Sequence, residues 1–359
     1  MNKIKYGSIF LMLIAVSCSK KQETPLPAER TVIVYMVADN SLNSQVDKDL
    51  NEMELGWDKT NNGRLVVYVD QSRKTPYVLE IVPDRTSGVV SPEVIKYGEQ
   101  NSCSIEVMNK VLSDIKQRYP AKSYGLILWS HASGWLPAPS PTTRVFGEDG
   151  NNTMEIYDLA KLSGKYEFIA FDACNMSGIE VVYELRNCTE YLLASVTEVL
   201  EGGFPYDRII SHLFKPKADI VAVAQEFMTY YRNYYYPAGA MTVTDVRKIN
   251  ELAAITASII KKYGAAIADI DLSAIQKYEK ELIFFDFKDY IEAIAGNTPE
   301  WQSFVAALNA AVIFEDHTPQ ILDIAEIQRS CGLNCYIPGH YPALDFYYQR
   351  IEWFNRVYK

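Results

Sequence analysis

Apolar residues recur along this chain in two rhythms. Short, nearly continuous apolar runs, rich in β-branched and aromatic residues, alternate with stretches where apolar positions return every three or four residues. The runs "TVIVYMVA" (from Thr31), "RLVVYVD" (64–70), "YVLEIVPD" (77–84), "YGLILWS" (124–130), "KYEFIAFDA" (165–173) and "YLLASV" (191–196) predict six strands. Ile105, Met108, Val111, Leu112 and Ile115 fall at helical spacing within 103–118. Further helices are predicted after "ADNSLN" to about Trp57, over 155–162 and over 176–185. Strands buried on both faces and alternating with helices define an α/β fold, a mostly parallel sheet with helices on both sides. Such a sheet places its ligand site at the carboxyl ends of its strands. From Ala218 the pattern turns mostly helical, broken by "AMTVTD" and "GLNCYIP", which predict either extra strands or a small second lobe.

The first residues break the pattern. "MNKIKYGSIFLMLIAVSCSK" carries Lys3 and Lys5, then an apolar stretch from Ile9 to Val16, too short to span a bilayer as a mature helix. Its ending "AVSC" resembles a bacterial lipobox, which implies removal of 1–17 and acylation of Cys18. Ala15 stands where such boxes more usually carry Leu. Residues 18–30, with Pro25 and Pro27, then form a lipidated polar tether. The alternative is an ordinary cleaved signal. Either way the chain is directed to the bacterial cell envelope, and the lipid reading anchors it to the membrane.

The net charge is −10, and loss of Lys3 and Lys5 makes the mature chain near −12. An acidic surface repels phosphate backbones, which argues against a nucleic-acid partner. With Cys18 lipidated, Cys103, Cys174, Cys188, Cys331 and Cys335 remain, an odd number that points to a free thiol. Cys331 and Cys335, four apart on a strand, are too distant to bridge. Without a Cys-x-x-Cys pair or a histidine cluster, zinc has little support.

Chemistry concentrates at two strand ends. In "YGLILWSHASGW" a buried strand stops and His131 follows at once; in "FIAFDACNMSG" another stops and Cys174 follows, where a helix is predicted to start. If those strands are neighbours, both side chains stand on one sheet edge, as a Cys-His pair requires. A helix N-terminus and a nearby imidazolium would both favour thiolate over thiol. His212, His317 and His340 fall in helical or loop contexts and read as surface or capping residues. The competing reading of Cys174 is a small buried hydrophobe.

"WSHASGW" and "FDACNMSGIEVVYEL" resemble the two catalytic motifs of the clostripain family of cysteine peptidases; "VIVYMVADNSLN" and "GLNCYIP" resemble its opening and late strands. The resemblance implies a caspase-like core over 31–217, followed by a helix-rich region over 218–359 that contributes additional strands. It implies Cys174 as nucleophile and His131 as general base and acid. The oxyanion hole would use the backbone N–H of Cys174 and that of Ala132, where the family usually has Gly; Ala there is costly if φ must be positive. A preference for Arg or Lys would need a buried carboxylate, assigned first to Asp172 and next to Glu198; Glu201 and Asp207 read as solvated loop residues. Some family members are cut between the two motifs, and Arg144 is the best-placed basic residue, with Lys161 and Lys165 behind it. Some relatives use calcium; "GEDGNN" is acidic but lacks the spaced ligands of an EF-hand loop, so no metal ligand is named. The expectation is a lipid-anchored cysteine endopeptidase acting on peptides or proteins. The rival is a peptidase-like lipoprotein that binds peptides without cutting them, and an acyltransferase using the same acyl-enzyme stays open.

Overall fold

The computed structural model describes residues 27–59, 62–137, 146–280 and 283–359. The leader, the lipidation residue Cys18 and the cleavage candidate Arg144 lie outside the described residues.

Nine strands form one sheet: β1 (Ala28–Ala38), β2 (Gly63–Gln71), β3 (Tyr77–Glu80), β4 (Glu93–Lys96), β5 (Ala121–Trp129), β6 (Tyr166–Asp172), β7 (Thr189–Ala194), β8 (Ala240–Asp245) and β9 (Val312–His317). Their order is β9-β8-β7-β6-β5-β1-β2-β3-β4. The five central strands, β7 to β2, run parallel. An antiparallel pair closes each edge. The continuous apolar runs follow from burial on both faces. In β1, Ile33, Tyr35 and Val37 face one core while Val32, Val34 and Met36 face the other. Helices Ile105–Arg118, Ile249–Tyr263 and Phe287–Ala295 cover the first face; Val46–Gly56, Tyr206–Leu213 and Ile220–Arg232 cover the second.

Several sequence expectations change. Ala28, Glu29 and Arg30, assigned to the tether, already belong to β1. Arg30 is buried there because its guanidinium pairs with Glu167 at 2.8 Å and donates to the Leu213 and Lys215 carbonyls. "AMTVTD" becomes β8 and joins the sheet beside β7, which excludes the separate-lobe alternative for that strand. "GLNCYIP" contributes only the short pair Asn334–Cys335 with Phe285–Asp286. β4 is a polar, half-exposed edge strand and therefore carried no apolar run. The helix expected from Met176 begins only at Ile179.

The chain starts at the sheet centre with β1, fills one side with β2 to β4, then crosses to β5 on the other side. The order thus reverses between β1 and β5, and a crevice opens beyond their carboxyl ends.

Candidate active site

Trp129 and Asp172 are register partners on the parallel pair β5 and β6. His131 and Cys174 each follow by two residues, so the strand pairing brings both to one edge. They line a single cleft of about 350 Å³ together with Ser41, Trp129, Asp172 and Glu198. A roomier hollow of about 500 Å³ lies between 272–280 and 324–329, lined by neither motif.

Asn40 shapes the β1 side of the cleft. Its side-chain amide donates to the Val37 and Glu148 carbonyls at 2.9 and 2.7 Å, and its oxygen accepts the Leu42 N–H. That capped turn holds the Ser41 hydroxyl 2.8 Å from His131 Nε2. The His131 carbonyl accepts the Gly147 N–H at 2.9 Å, tying the histidine to the hairpin Phe146–Met154.

Cys174 sits in a turn after β6, five residues before the helix Ile179–Glu184. The predicted helix-terminal thiolate is therefore not what this structure holds. The Cys174 Sγ accepts the Val199 N–H at 3.3 Å. Burial pushes the thiol up to about 12, against that bond, with Glu198 and Asp172 adding in the same direction. In this resting arrangement Cys174 is a protonated thiol.

The two strand-end loops touch. Gly134, at φ +67°, lies so near Asn175 that a Cβ would meet its carbonyl oxygen at 3.0 Å. Asn175 itself has φ +60°. Ala132, by contrast, is not among the described residues with positive φ, so the Gly-to-Ala departure costs no backbone strain. It bridges to Phe146. The carboxyl-terminal region braces the cysteine loop: the Asn334 N–H donates to the Ser177 carbonyl at 3.0 Å, and Glu180, fully buried, accepts from the Tyr336 N–H and the Tyr348 hydroxyl.

Asp172 forms a buried floor. One carboxylate oxygen accepts the Phe204 N–H at 3.0 Å and the Tyr206 hydroxyl at 2.9 Å. Burial raises its pKa to about 6 despite those two bonds, leaving it mostly ionised at neutral pH. Gly203, at φ +59°, passes so close that a Cβ would stand 2.8 Å from the carboxylate. Glu198 is exposed on the rim, with burial raising its carboxyl. Glu201 is exposed and accepts from Gln45 at 2.7 Å; Asp207 is exposed in the first turn of helix Tyr206–Leu213.

Of the other candidates, Lys161 pairs with Asp158 and Lys165 with Glu190. His317 ends β9 and pairs with Glu315 at 2.7 Å. The five cysteines among the described residues are free thiols. In "GEDGNN", Asp149 accepts the Ser102 N–H at 2.6 Å. Among the described residues, no three His, Cys, Asp or Glu side chains converge as metal ligands would. Sequence reasoning missed Ser41, Trp129, Gly203 and Tyr206. Ser41 stood inside a quoted motif, but only the β1–β5 crossover shows that it faces His131.

A doubly covered α/β sheet that sets a cysteine and a histidine beyond neighbouring parallel strands, over an acid-floored cleft, has the layout of the caspase-like cysteine peptidases. The sequence pattern of the clostripain family matches residues 34–327. The chain belongs to that family of cysteine peptidases. Clostripain of Hathewaya histolytica is 26% identical over 220 residues, which cover 51% of this chain and 42% of that protein, so the match spans less than half of the relative's length. An inactive zymogen of a C11 protease from Parabacteroides distasonis is similar at TM-score 0.83 and 32% identity, covering 93% of this chain and 99% of that one. A secreted C11 cysteine protease of Bacteroides thetaiotaomicron, bound to an irreversible peptide inhibitor, is similar at TM-score 0.80 and 29% identity, covering 92% and 98%.

Proposed function

We propose that this chain is a cysteine endopeptidase that cuts after Arg or Lys through Cys174 and His131. The observation that carries this reading is that Cys174, His131 and the buried carboxylate of Asp172 line one cleft. Asp172 accepts the guanidinium or ammonium of the residue before the cut. Because the thiol is protonated at rest, Cys174 attacks the scissile carbonyl as its proton passes to His131. The backbone N–H groups of Cys174 and Ala132 receive the developing oxyanion. His131 then protonates the leaving amine, and water, deprotonated by His131, hydrolyses the thioester.

A peptide bearing a carbon electrophile after Arg tests this reading. It should add its mass to Cys174, fail to do so in His131→Ala, and react far more slowly in Asp172→Asn. Labelling elsewhere, or labelling indifferent to Asp172, rejects the assignment. The raised thiol favours one second reading, a peptide-binding scaffold of low activity; slow labelling with tight peptide binding would mark it. Among the described residues no helix is long and apolar enough to cross a membrane. We infer attachment to the cell envelope through acylated Cys18, supported by the lipobox-like "AVSC"; [³H]palmitate incorporation lost in Cys18→Ala would verify it.

A further inference from the structure

Behind Asp172 stands a carboxyl that the proposed chemistry does not use. Asp49 lies on helix Val46–Gly56 and is 0% exposed. Its Oδ2 accepts the indole N–H of Trp129 at 2.8 Å. Its Oδ1 is buried without a hydrogen-bond partner among the described residues. Trp129 is the register partner of Asp172 and lines the cleft beside it. The titratable groups whose charges act on Asp49 or respond to it are Lys48 and Glu52 of its own helix, Asp172 of β6, Tyr206 of the helix packed alongside, and Tyr231 of helix Ile220–Arg232. The one cation among them, Lys48, is 3.6 Å from Glu52. A buried carboxylate with a single neutral donor and an anionic neighbour is unfavourable as a charge. Accordingly, burial first and Asp172 second push Asp49 up to about 8.

We propose that Asp49 is a specificity-determining positioning residue: it orients Trp129 and gives up its proton when a cationic side chain enters the pocket over Asp172. The inference rests on the basic-residue reading of Asp172. The incoming cation supplies the positive charge that the resting pocket lacks. The Asp49 O–H bond then breaks, its proton leaves to solvent, and the negative charge of Asp49 behind the pocket wall adds to that of Asp172 in balancing the cation. Affinity for Arg or Lys therefore rises with pH beyond the range in which Asp172 ionises.

Calorimetric binding of an Arg-ended peptide to the chain carrying Cys174→Ala, in two buffers of different ionisation enthalpy, counts the released protons. At pH 8 roughly half of the Asp49 carboxyls still hold a proton, while Asp172 is nearly all deprotonated. The expected release is about half a proton per peptide, falling to about a tenth or less when Asp49→Asn is added. The Asn oxygen still accepts the Trp129 N–H, so the indole keeps its place. A release below about a tenth with Asp49 intact, or one unchanged in Asp49→Asn, overturns the inference while leaving the role of Asp172 standing. The first count keeps the inference open to refutation even if the Asp49→Asn chain does not fold. Equal binding of Arg-ended and Leu-ended peptides, indifferent to Asp172→Asn, would instead remove the basic-pocket reading, and this inference with it.

Discussion

Replacing Tyr206 with Phe deletes one oxygen and leaves the ring packed near Phe204, with centroids 6.1 Å apart. That oxygen is one of the two donors to the buried Asp172 carboxylate, at 2.9 Å. A hydrogen bond to a charged group contributes about 1.5–3 kcal/mol. One pKa unit corresponds to about 1.4 kcal/mol, so losing the bond lifts Asp172 by about one to two units. Starting from about 6, it then titrates near neutrality or above. At pH 7 its ionised fraction falls from roughly nine-tenths to between a half and a tenth. The Michaelis constant for an Arg peptide should therefore rise roughly two- to tenfold at pH 7 and return toward the original value by pH 9. Turnover at saturation should change little, because the hydroxyl is bonded to the pocket floor and not to Cys174 or His131. The assay is steady-state hydrolysis from pH 5.5 to 9. A Michaelis constant matching the unmodified chain at every pH, or a defect that persists at pH 9, would refute the role given to the Tyr206–Asp172 bond.

Three more perturbations probe the surrounding frame. Gly134→Ala forces a side chain into left-handed backbone and against the Asn175 carbonyl, so it should destabilise the chain by about 1–2 kcal/mol or more and slow Cys174 labelling; a melting temperature and labelling rate like those of the unmodified chain would count against the loop contact. Glu180 is raised to about 7, chiefly by burial, so the folded state holds its proton more tightly than the unfolded one. Its contribution to stability is then greatest below pH 4–5 and is lost as pH rises toward 7; Glu180→Gln should reduce the loss of melting temperature between pH 5 and 8, by up to about 3 kcal/mol in stability, and parallel pH curves would contradict this. Iodoacetamide should alkylate resting Cys174 slowly at pH 7 and about tenfold faster per pH unit to pH 10; a rate already on a plateau at pH 7 would mean a thiolate at rest.

The central architecture could be read from the sequence because strands buried on both faces leave unbroken apolar runs. β1, β2, β5, β6 and β7 were all visible that way. β4 was not, since an edge strand half in solvent has no such run. His131 and Cys174 were legible because each follows the end of a strong strand by two residues. The helix position after Cys174 was not. Met176 through Gly178 are irregular because backbone bonds from Asn175, Ser177 and Asn334 hold that segment against 195–197 and the carboxyl-terminal region. Only tertiary partners show this, and they replace the anticipated helix dipole with a desolvated sulfur. Asp49 illustrates the same limit. On helix Val46–Gly56 it reads as one of two acids in the first turn, and only the packing against Trp129 reveals a buried carboxyl behind the cleft.

The most direct test is hydrolysis of a matched set of fluorogenic peptides ending in Arg, Lys, Asp or Leu, by the chain from Ser19 onward and by its Cys174→Ala variant. Cleavage after Arg and Lys alone, abolished by the substitution, is the predicted result. Cleavage that survives Cys174→Ala, or a preference for Asp or Leu, would contradict the account.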